Sequence, residues 1–390
     1  MRHGPVMTRP AIYLDHSAAS PLLPEARDAL VAALDMVGNP ASVHGHGRAL
    51  RNVIETARGQ IARLAGAERK QVVFTGSATE AITQAIVGGA KTFGSHAVVV
   101  SAGEHTAVLK AAEATGLPVL VVGLLADGRI DLNQLAGFLA DADATNQTFL
   151  VALHWVNNET GVVQPIERIN ALVGPTRHTL FIDAAQAFGK LPLEFAASAP
   201  DMMAVGGHKI GAPAGVGALL VKAHADTVRL IPGGGQEQGR RGGTEAAALI
   251  AAFGAAAESF AGHYGSADVN ALTGELEASL RALAPDAVIF GENVERIGNV
   301  VDFAVPGVKS TVAMMGLDLD GISVSSGSAC SSGKVGASHV LAAMNVPSEL
   351  AECALRISLG WNSTRDDIAA FLRGYETILN RQRGRQGKAA

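Results

Sequence analysis

A lysine set among glycines is the residue of this chain best suited to covalent chemistry. Gly206-Gly207-His208-Lys209 follows the apolar run Met202 to Val205 and leads into Ile210-Gly211-Ala212-Pro213-Ala214-Gly215-Val216-Gly217. Burial lowers the pKa of a lysine, and the neutral amine then attacks aldehydes. Alone the pattern is weak: a surface lysine beside a flexible turn accounts for it about twice as readily. Asp183-Ala184-Ala185-Gln186 adds to it, because an aspartate closing the run Leu180 to Ile182 suits a protonated pyridine nitrogen. It would equally serve as a helix N-cap. Ser77-Ala78-Thr79-Glu80 opens a segment of helical spacing, where free N–H groups and the helix dipole favour a phosphate, although capping alone explains the serine. His105, after Gly103-Glu104 at a strand exit, carries a ring whose ordinary pKa near 6.5 suits proton transfer or stacking on a flat cofactor. Lone histidines are more often structural.

The chain has 2 cysteines. Cys330 sits in Ser325-Ser326-Gly327-Ser328-Ala329-Cys330-Ser331-Ser332-Gly333-Lys334, a run of small residues that packs poorly as a regular element, so a mobile loop with a reachable thiol is expected. Cys353, within the apolar stretch Leu350 to Leu355, is expected to be a buried small hydrophobe. A pair of cysteines makes no disulfide framework for a chain this long.

Elements that could place these residues are legible from the apolar spacing. Leu50, Val53, Ile54, Ala57, Ile61 and Leu64 line one face of a helix over Ala49 to Leu64. Short apolar runs at residues 72–74, 97–100, 119–122, 149–153 and 180–182 read as strands buried on both faces, with helical spacing over 79–87, 107–114 and 131–139 between them. Strand–helix alternation of this kind means a mostly parallel open sheet. Ligands of such sheets lie beyond the carboxyl ends of the strands. Ser77 to Thr79, His105, Asn157-Asn158 and Asp183 all fall there. An alanine-rich helix follows Arg241 to about Phe260, another covers Leu272 to Leu283, and the changed rhythm beyond marks a second domain. Gly211 to Gly217 does not open a helix at the spacing of a dinucleotide-binding turn.

Composition sets the outer limits. A chain of 390 residues with 48% apolar residues has ample core for two domains. No apolar run approaches a membrane span, and the N-terminus lacks the apolar stretch of a secretion signal, with Met7 offering a second start, so a cytoplasmic protein away from membranes is expected. A net charge of −5 and 4% aromatics give neither the basic stripe nor the stacking platform that nucleic acid requires.

Several motifs stand together in one order: Gly38-Asn39-Pro40-Ala41-Ser42-Val43-His44, Asn157-Asn158-Glu159-Thr160-Gly161, Asp183-Ala184-Ala185-Gln186, His208-Lys209, Gly239-Arg240-Arg241-Gly242-Gly243-Thr244, the Ser325 to Ser332 loop and Arg356-Ile357-Ser358-Leu359-Gly360. From Tyr13-Leu14-Asp15 to Leu359-Gly360 the chain strongly resembles the cysteine desulfurases, members of the class V aminotransferase-like, fold-type I pyridoxal phosphate (PLP) enzymes. The long Cys330 loop resembles the group I members.

The resemblance implies an α/β architecture with a mostly parallel sheet in a large domain and a smaller α/β C-terminal domain. Residues 21–260 would form the large PLP-binding domain, and 1–20 with 261–390 the small domain carrying Cys330. It further implies that Lys209 holds the cofactor covalently, Asp183 its pyridine nitrogen, and Gln186 with Asn158 the region of its phenolic oxygen, while His105 stacks on the ring. Ala78, Thr79 and His208 would hold the phosphate, joined by Thr244 from the second subunit of a homodimer. Arg356 would clamp the substrate carboxylate, a bidentate task, with Asn158 sharing the contact. L-Cysteine would then yield L-alanine and a persulfide on Cys330 for an acceptor protein, an iron–sulfur scaffold being one candidate. Lys209 would act as base and His105 would carry the thiol proton. No metal is implied.

The sequence departs from the pattern in two places. Gly206 stands where the family carries a serine, and Gly76-Ser77 inverts the usual order. Ser77 is the natural candidate to replace the missing phosphate hydroxyl. By the same resemblance the chain is expected to lack the longer C-terminal segment by which some members contact a scaffold, which leaves that partner open. A selenocysteine lyase or another class V enzyme would use Lys209 and Asp183 without needing Cys330. A sulfur-delivery protein without turnover would make no alanine.

Overall fold

The computed structural model describes residues 12–327 and 338–386, with side chains to 383. Cys330 therefore lies outside the described residues.

The strands, in chain order, are β1 (Ile12–Tyr13), β2 (Val72–Thr75), β3 (Ala97–Ser101), β4 (Val119–Val122), β5 (Phe149–His154), β6 (Thr179–Asp183), β7 (Met202–Gly206), β8 (Gly217–Val221), β9 (Val288–Ile289), β10 (Val300–Ala304), β11 (Ile322–Ser323) and β12 (Ala354–Ser358). A seven-stranded sheet runs β2-β8-β7-β6-β5-β3-β4. Pairs β3–β4, β3–β5, β5–β6 and β6–β7 are parallel, whereas β8 is antiparallel to both β2 and β7. β2, β3, β5, β6 and β7 thus end on the same edge.

Alternation along these strands fills two separate cores, since successive side chains face opposite sides of a sheet. Val72, Phe74, Val99, Val151, Ile182 and Val205 meet one set of helices, and Val73, Val98, Val100, Ala152, Phe181 and Ala204 the other. Both faces being covered, the strands carry near-continuous apolar runs. β4 departs from the expected burial on both faces: it is the edge strand, and Val121 is 48% exposed. β8 follows the glycine-rich turn after Lys209, and Gly217 opens it because the strand passes against the turn 77–78. A Cβ there would stand 2.6 Å from the Ser77 carbonyl carbon.

The expected helices are present with shifted ends: Gly45–Leu64, Thr106–Ala114, Leu132–Ala144, Ala247–Ser266 and Val269–Leu283. The segment after Ser77 is helical over Ala78–Thr83, then widens to a π turn over Gln84–Gly88 before Gly89–Thr92. Buried Gln84 sits at the π turn, and its Nε2 donates to the carbonyls of Val228 and Arg240 at 3.1 Å each.

A second, three-stranded sheet, β12-β10-β9, is antiparallel and packs on the helices Val269–Leu283 and Arg365–Gln386. β1 pairs in parallel with β11, joining the start of the described chain to this C-terminal part. Cys353 is buried, 2% exposed, as expected. No helix among the described residues is long and apolar enough to cross a membrane.

Candidate active site

The strand ends that share one edge deliver their side chains to one cleft. It is lined by Ala78 and Thr79 after β2, His105 after β3, His154, Val156 and Asn158 at and after β5, Asp183, Ala185 and Gln186 after β6 and His208-Lys209 after β7. Arg356 on β12 and Ser17 after β1 close it. The structure therefore brings together every site residue expected from the sequence within the described chain, Thr244 excepted. Thr244 is exposed and does not line the cleft.

Lys209 ends a single 3-10 turn, Gly207–Lys209, and its Nζ donates to the carbonyls of Ser17 and, at 3.1 Å, Ala18. Asp183 is the last residue of β6 and is buried. Its Oδ1 accepts the Ala185 N–H at 2.9 Å, so it caps a turn rather than the helix that sequence alone allowed. Burial pushes its carboxyl upward, and His105 pulls it back down. A cation against it would hold it ionised, which is what a protonated pyridine nitrogen provides.

His105 is the N-cap of Thr106–Ala114, its Nδ1 accepting the Ala107 N–H at 3.1 Å. That bond fixes the neutral tautomer with the proton on Nε2, the arrangement a proton carrier needs. Burial lowers its pKa, Lys209 and His339 adding to the effect against the pull of Asp183. His208 is lowered to about 4 by burial and by the neighbouring lysines, so its ring is neutral at pH 7.

Arg356 is 1% exposed. Its Nη1 donates to the Asn158 carbonyl at 2.7 Å and Nη2 to Asp15 Oδ1 at 2.8 Å, while Nε is buried without a partner among the described residues. A guanidinium so held has a spare N–H for a second carboxylate. Asp302 faces it in the β10–β12 register, and burial raises its carboxyl far above the usual range.

Ser77 does not line the cleft. Its Oγ accepts the Glu80 N–H at 3.1 Å as a helix cap, and no replacement of the missing serine hydroxyl is visible there. A Cβ on Gly206 would stand 3.2 Å from the Ala78 Cβ, tighter than ordinary contact. Small size at 206 thus goes with the close approach of the two phosphate-side loops.

Three groups near the cleft were not singled out from sequence. His154 lines it; its Nδ1 and backbone N–H both meet Glu104 Oε1, at 2.7 and 3.0 Å, and its Nε2 faces Gln164 Nε2 at 3.2 Å. The Gln164 amide is a donor, so the His154 proton sits on Nδ1. Lys190 donates to Gln186 Oε1 at 3.3 Å. Burial, then Lys209 and Arg356, lower it to about 7. Its four-residue spacing from Gln186 was the available signal. His16, 2% exposed beside Ser17, is pushed down to about 4 by burial and by Lys190.

His16 makes stability depend on pH. Its folded pKa lies below the ordinary value of 6.5, so its contribution is whole above that value and is lost as pH falls to about 4. The loss amounts to up to about 3 kcal/mol. Denaturant unfolding at pH 7 and pH 4 should show His16→Asn losing less stability over this window than the parent. Equal losses would contradict the assignment.

Among the described residues no group of three or more His, Cys, Asp or Glu is placed to hold a metal ion. A half-buried lysine, a buried aspartate and a helix start share one cleft. Fold and cleft together define a PLP-dependent enzyme of fold type I. The aminotransferase class-V model matches residues 12–371. A cysteine desulfurase of Trichormus azollae is 37% identical over 380 residues, covering 95% of this chain and 94% of its own. A NifS-like protein from Rickettsia africae superposes with a TM-score of 0.86 at 31% identity, over 95% of this chain and all of its own. A solved structure described as SspA in complex with cysteine gives 0.79 at 30% identity, over 90% and 99%. The chain belongs to the class-V aminotransferase family.

Proposed function

We infer that the protein is a cysteine desulfurase, which takes the sulfur of L-cysteine and leaves L-alanine. The observation that carries this reading is the convergence of Lys209, Asp183, His105 and Arg356 on one cleft in a chain whose relatives are cysteine desulfurases. Pyridoxal phosphate, when bound, supplies the electron sink that makes the substrate's α-proton removable and its carbon–sulfur bond breakable.

The chain's own groups do the rest. Lys209 would hold the cofactor aldehyde, and its free amine would take the α-proton of the substrate. Asp183 keeps the pyridine nitrogen protonated, Gln186 and Asn158 flank the phenolic oxygen, and Ala78, Thr79 and His208 hold the phosphate. Lys190 stands behind Gln186, its Nζ donating to Gln186 Oε1 at 3.3 Å. Arg356 orients the substrate carboxylate, with Asn158 beside it. The neutral ring of His105 moves a proton to or from the substrate thiol through Nε2. The Cys330 thiolate attacks the substrate sulfur: the sulfur–sulfur bond forms as the carbon–sulfur bond breaks, and the carbon keeps the electron pair and takes a proton. Cysteine plus thiol thus gives alanine plus persulfide, with no outside oxidant or reductant.

The finer organisation belongs to the same reading. Residues 21–260 form the large domain and 1–20 with 261–390 the small one. Two chains form a homodimer in which Thr244 completes the partner's phosphate site. Exposure of Thr244 supports this, as do the exposed apolar side chains Leu22, Val31, Leu34 and Val37. The persulfide passes to an acceptor protein in the cytoplasm, an iron–sulfur scaffold being the favoured class given the NifS and IscS names among the relatives.

Borohydride tests the cofactor assignment, because reduction makes the imine between cofactor and lysine permanent. The purified yellow protein should lose its colour on reduction and yield one labelled peptide, containing Lys209. Label on Lys190 or any other lysine would overturn the site.

A further inference from the structure

The turn that leads from β2 into the helix Ala78–Thr83 is held by its own side chains. Thr75 Oγ1 donates to the Ser77 carbonyl at 2.9 Å, and Ser77 Oγ accepts the Glu80 N–H at 3.1 Å. The Gly76 N–H donates to Glu80 Oε2 at 2.8 Å. Between these ties the N–H groups of Ala78 and Thr79, two residues that line the cleft, carry no hydrogen bond among the described residues. A first helical turn leaves such groups without partners inside the helix, and an anion satisfies them. Side-chain donors are scarce beside them: Gly206 has no hydroxyl, and that of Ser77 stands at the helix cap, outside the cleft. A phosphate at this turn therefore depends on the shape of the backbone.

Glu80 holds that shape. A carboxylate beside an anion site brings repulsion, and here its charge is met by Arg241, whose Nε and Nη2 reach Glu80 Oε1 and Oε2 at 2.7 and 3.2 Å. Such a two-pronged pair fixes orientation as well as charge. Arg241 belongs to a segment fastened along β2 and the following helix. Glu237 Oε2 accepts the Phe74 N–H at 2.9 Å, Arg240 donates to the Lys70 carbonyl at 2.6 Å, and Gln84 Nε2 donates to the Arg240 carbonyl at 3.1 Å. One carboxyl thus ties Gly76 to a firmly anchored guanidinium.

We propose that Glu80 is a positioning residue for the cofactor phosphate, its carboxyl bracing the turn 76–79 against Arg241 so that the Ala78 and Thr79 N–H groups stay available to that anion. The proposal rests on the reading that places the phosphate at this turn. Glu80 acts on an anion in two opposed ways, and their signs separate them. As a charge it repels a phosphate, so its removal would tighten binding. As a brace it shapes the turn, so its removal would loosen binding. The proposal requires the second effect to win.

The test titrates cofactor-free parent, Glu80→Ala and Glu80→Gln with pyridoxal phosphate and, separately, with pyridoxal, which has the ring and aldehyde but no phosphate. Imine absorbance gives each dissociation constant. Glu80→Ala should weaken pyridoxal phosphate by about ten-fold or more, the scale of a lost hydrogen bond to a charged group. Pyridoxal should bind nearly as in the parent, which also shows that the variant is folded around the ring. Glu80→Gln should recover most of the loss, because its amide oxygen still accepts the Gly76 N–H. Unchanged or tighter binding of pyridoxal phosphate by Glu80→Ala overturns the proposal. So does equal weakening of both ligands, or a Gln variant no better than Ala. A parent that binds pyridoxal phosphate no more tightly than pyridoxal fails one level lower: the phosphate is then not held at this turn, and the reading beneath the proposal falls.

Discussion

Cys330→Ala should bind L-cysteine and form no alanine, whereas Cys353→Ala should turn over like the parent. The contrast follows from where each thiol stands. Cys353 is buried in the main core, its Sγ donating to the Glu349 carbonyl at 3.3 Å one helical turn back. A thiol so enclosed has no access to a substrate. Replacing it removes one small buried group, at a cost of about 1 kcal/mol in stability. In the sequence Cys330 is flanked by small residues, the setting expected of a reachable thiol. Removing its sulfur leaves every group that binds substrate in place and takes away the atom to which the substrate sulfur is transferred. Measuring alanine per enzyme for the three proteins under identical conditions decides it. Parental alanine formation by Cys330→Ala, or an inactive Cys353→Ala, would refute the sulfur chemistry.

Asp183→Asn should lower turnover by at least about a hundred-fold, the scale of a lost electrostatic contact in an enclosed site, with a much smaller effect on cofactor affinity. Burial pushes the Asp183 carboxyl up, while the Ala185 N–H and then His105 pull it down, and a cation against it would favour its ionised form further. A protonated pyridine nitrogen is that cation, and the two stabilise each other. An amide cannot keep the nitrogen protonated. The phosphate-side groups Ala78, Thr79 and His208 remain and still bind the cofactor. Rates and apparent cofactor affinity, measured together, separate the two effects. Near-parental turnover would remove Asp183 from its assigned role.

The sheet was legible in sequence because its central strands are covered on both faces and so print continuous apolar runs, as in Val98-Val99-Val100 and Leu150 to Leu153. β8 was hidden by what precedes it: the glycines between 206 and 217 read as turn, and Gly217 belongs to the strand through a close approach that no sequence pattern announces. β10 and β12 are buried throughout, but their single charged residues, Asp302 and Arg356, break the apolar run. The site was legible where a reactive residue type coincided with a strand end, as at Asp183, His105 and Lys209. His154 and Glu104 escaped because their roles depend on each other across β3 and β5. Thr244 stands exposed and outside the cleft, so nothing within a single chain gives it a role.

The central claim, that sulfur passes from L-cysteine to Cys330, is tested most directly by mass spectrometry of the protein after a single turnover. Holoenzyme mixed with one equivalent of L-cysteine should release one equivalent of L-alanine and gain the mass of one sulfur atom, on the peptide containing Cys330, removable by a thiol reductant. Sulfur on the Cys353 peptide, or alanine released with no mass gained on the protein, would contradict it.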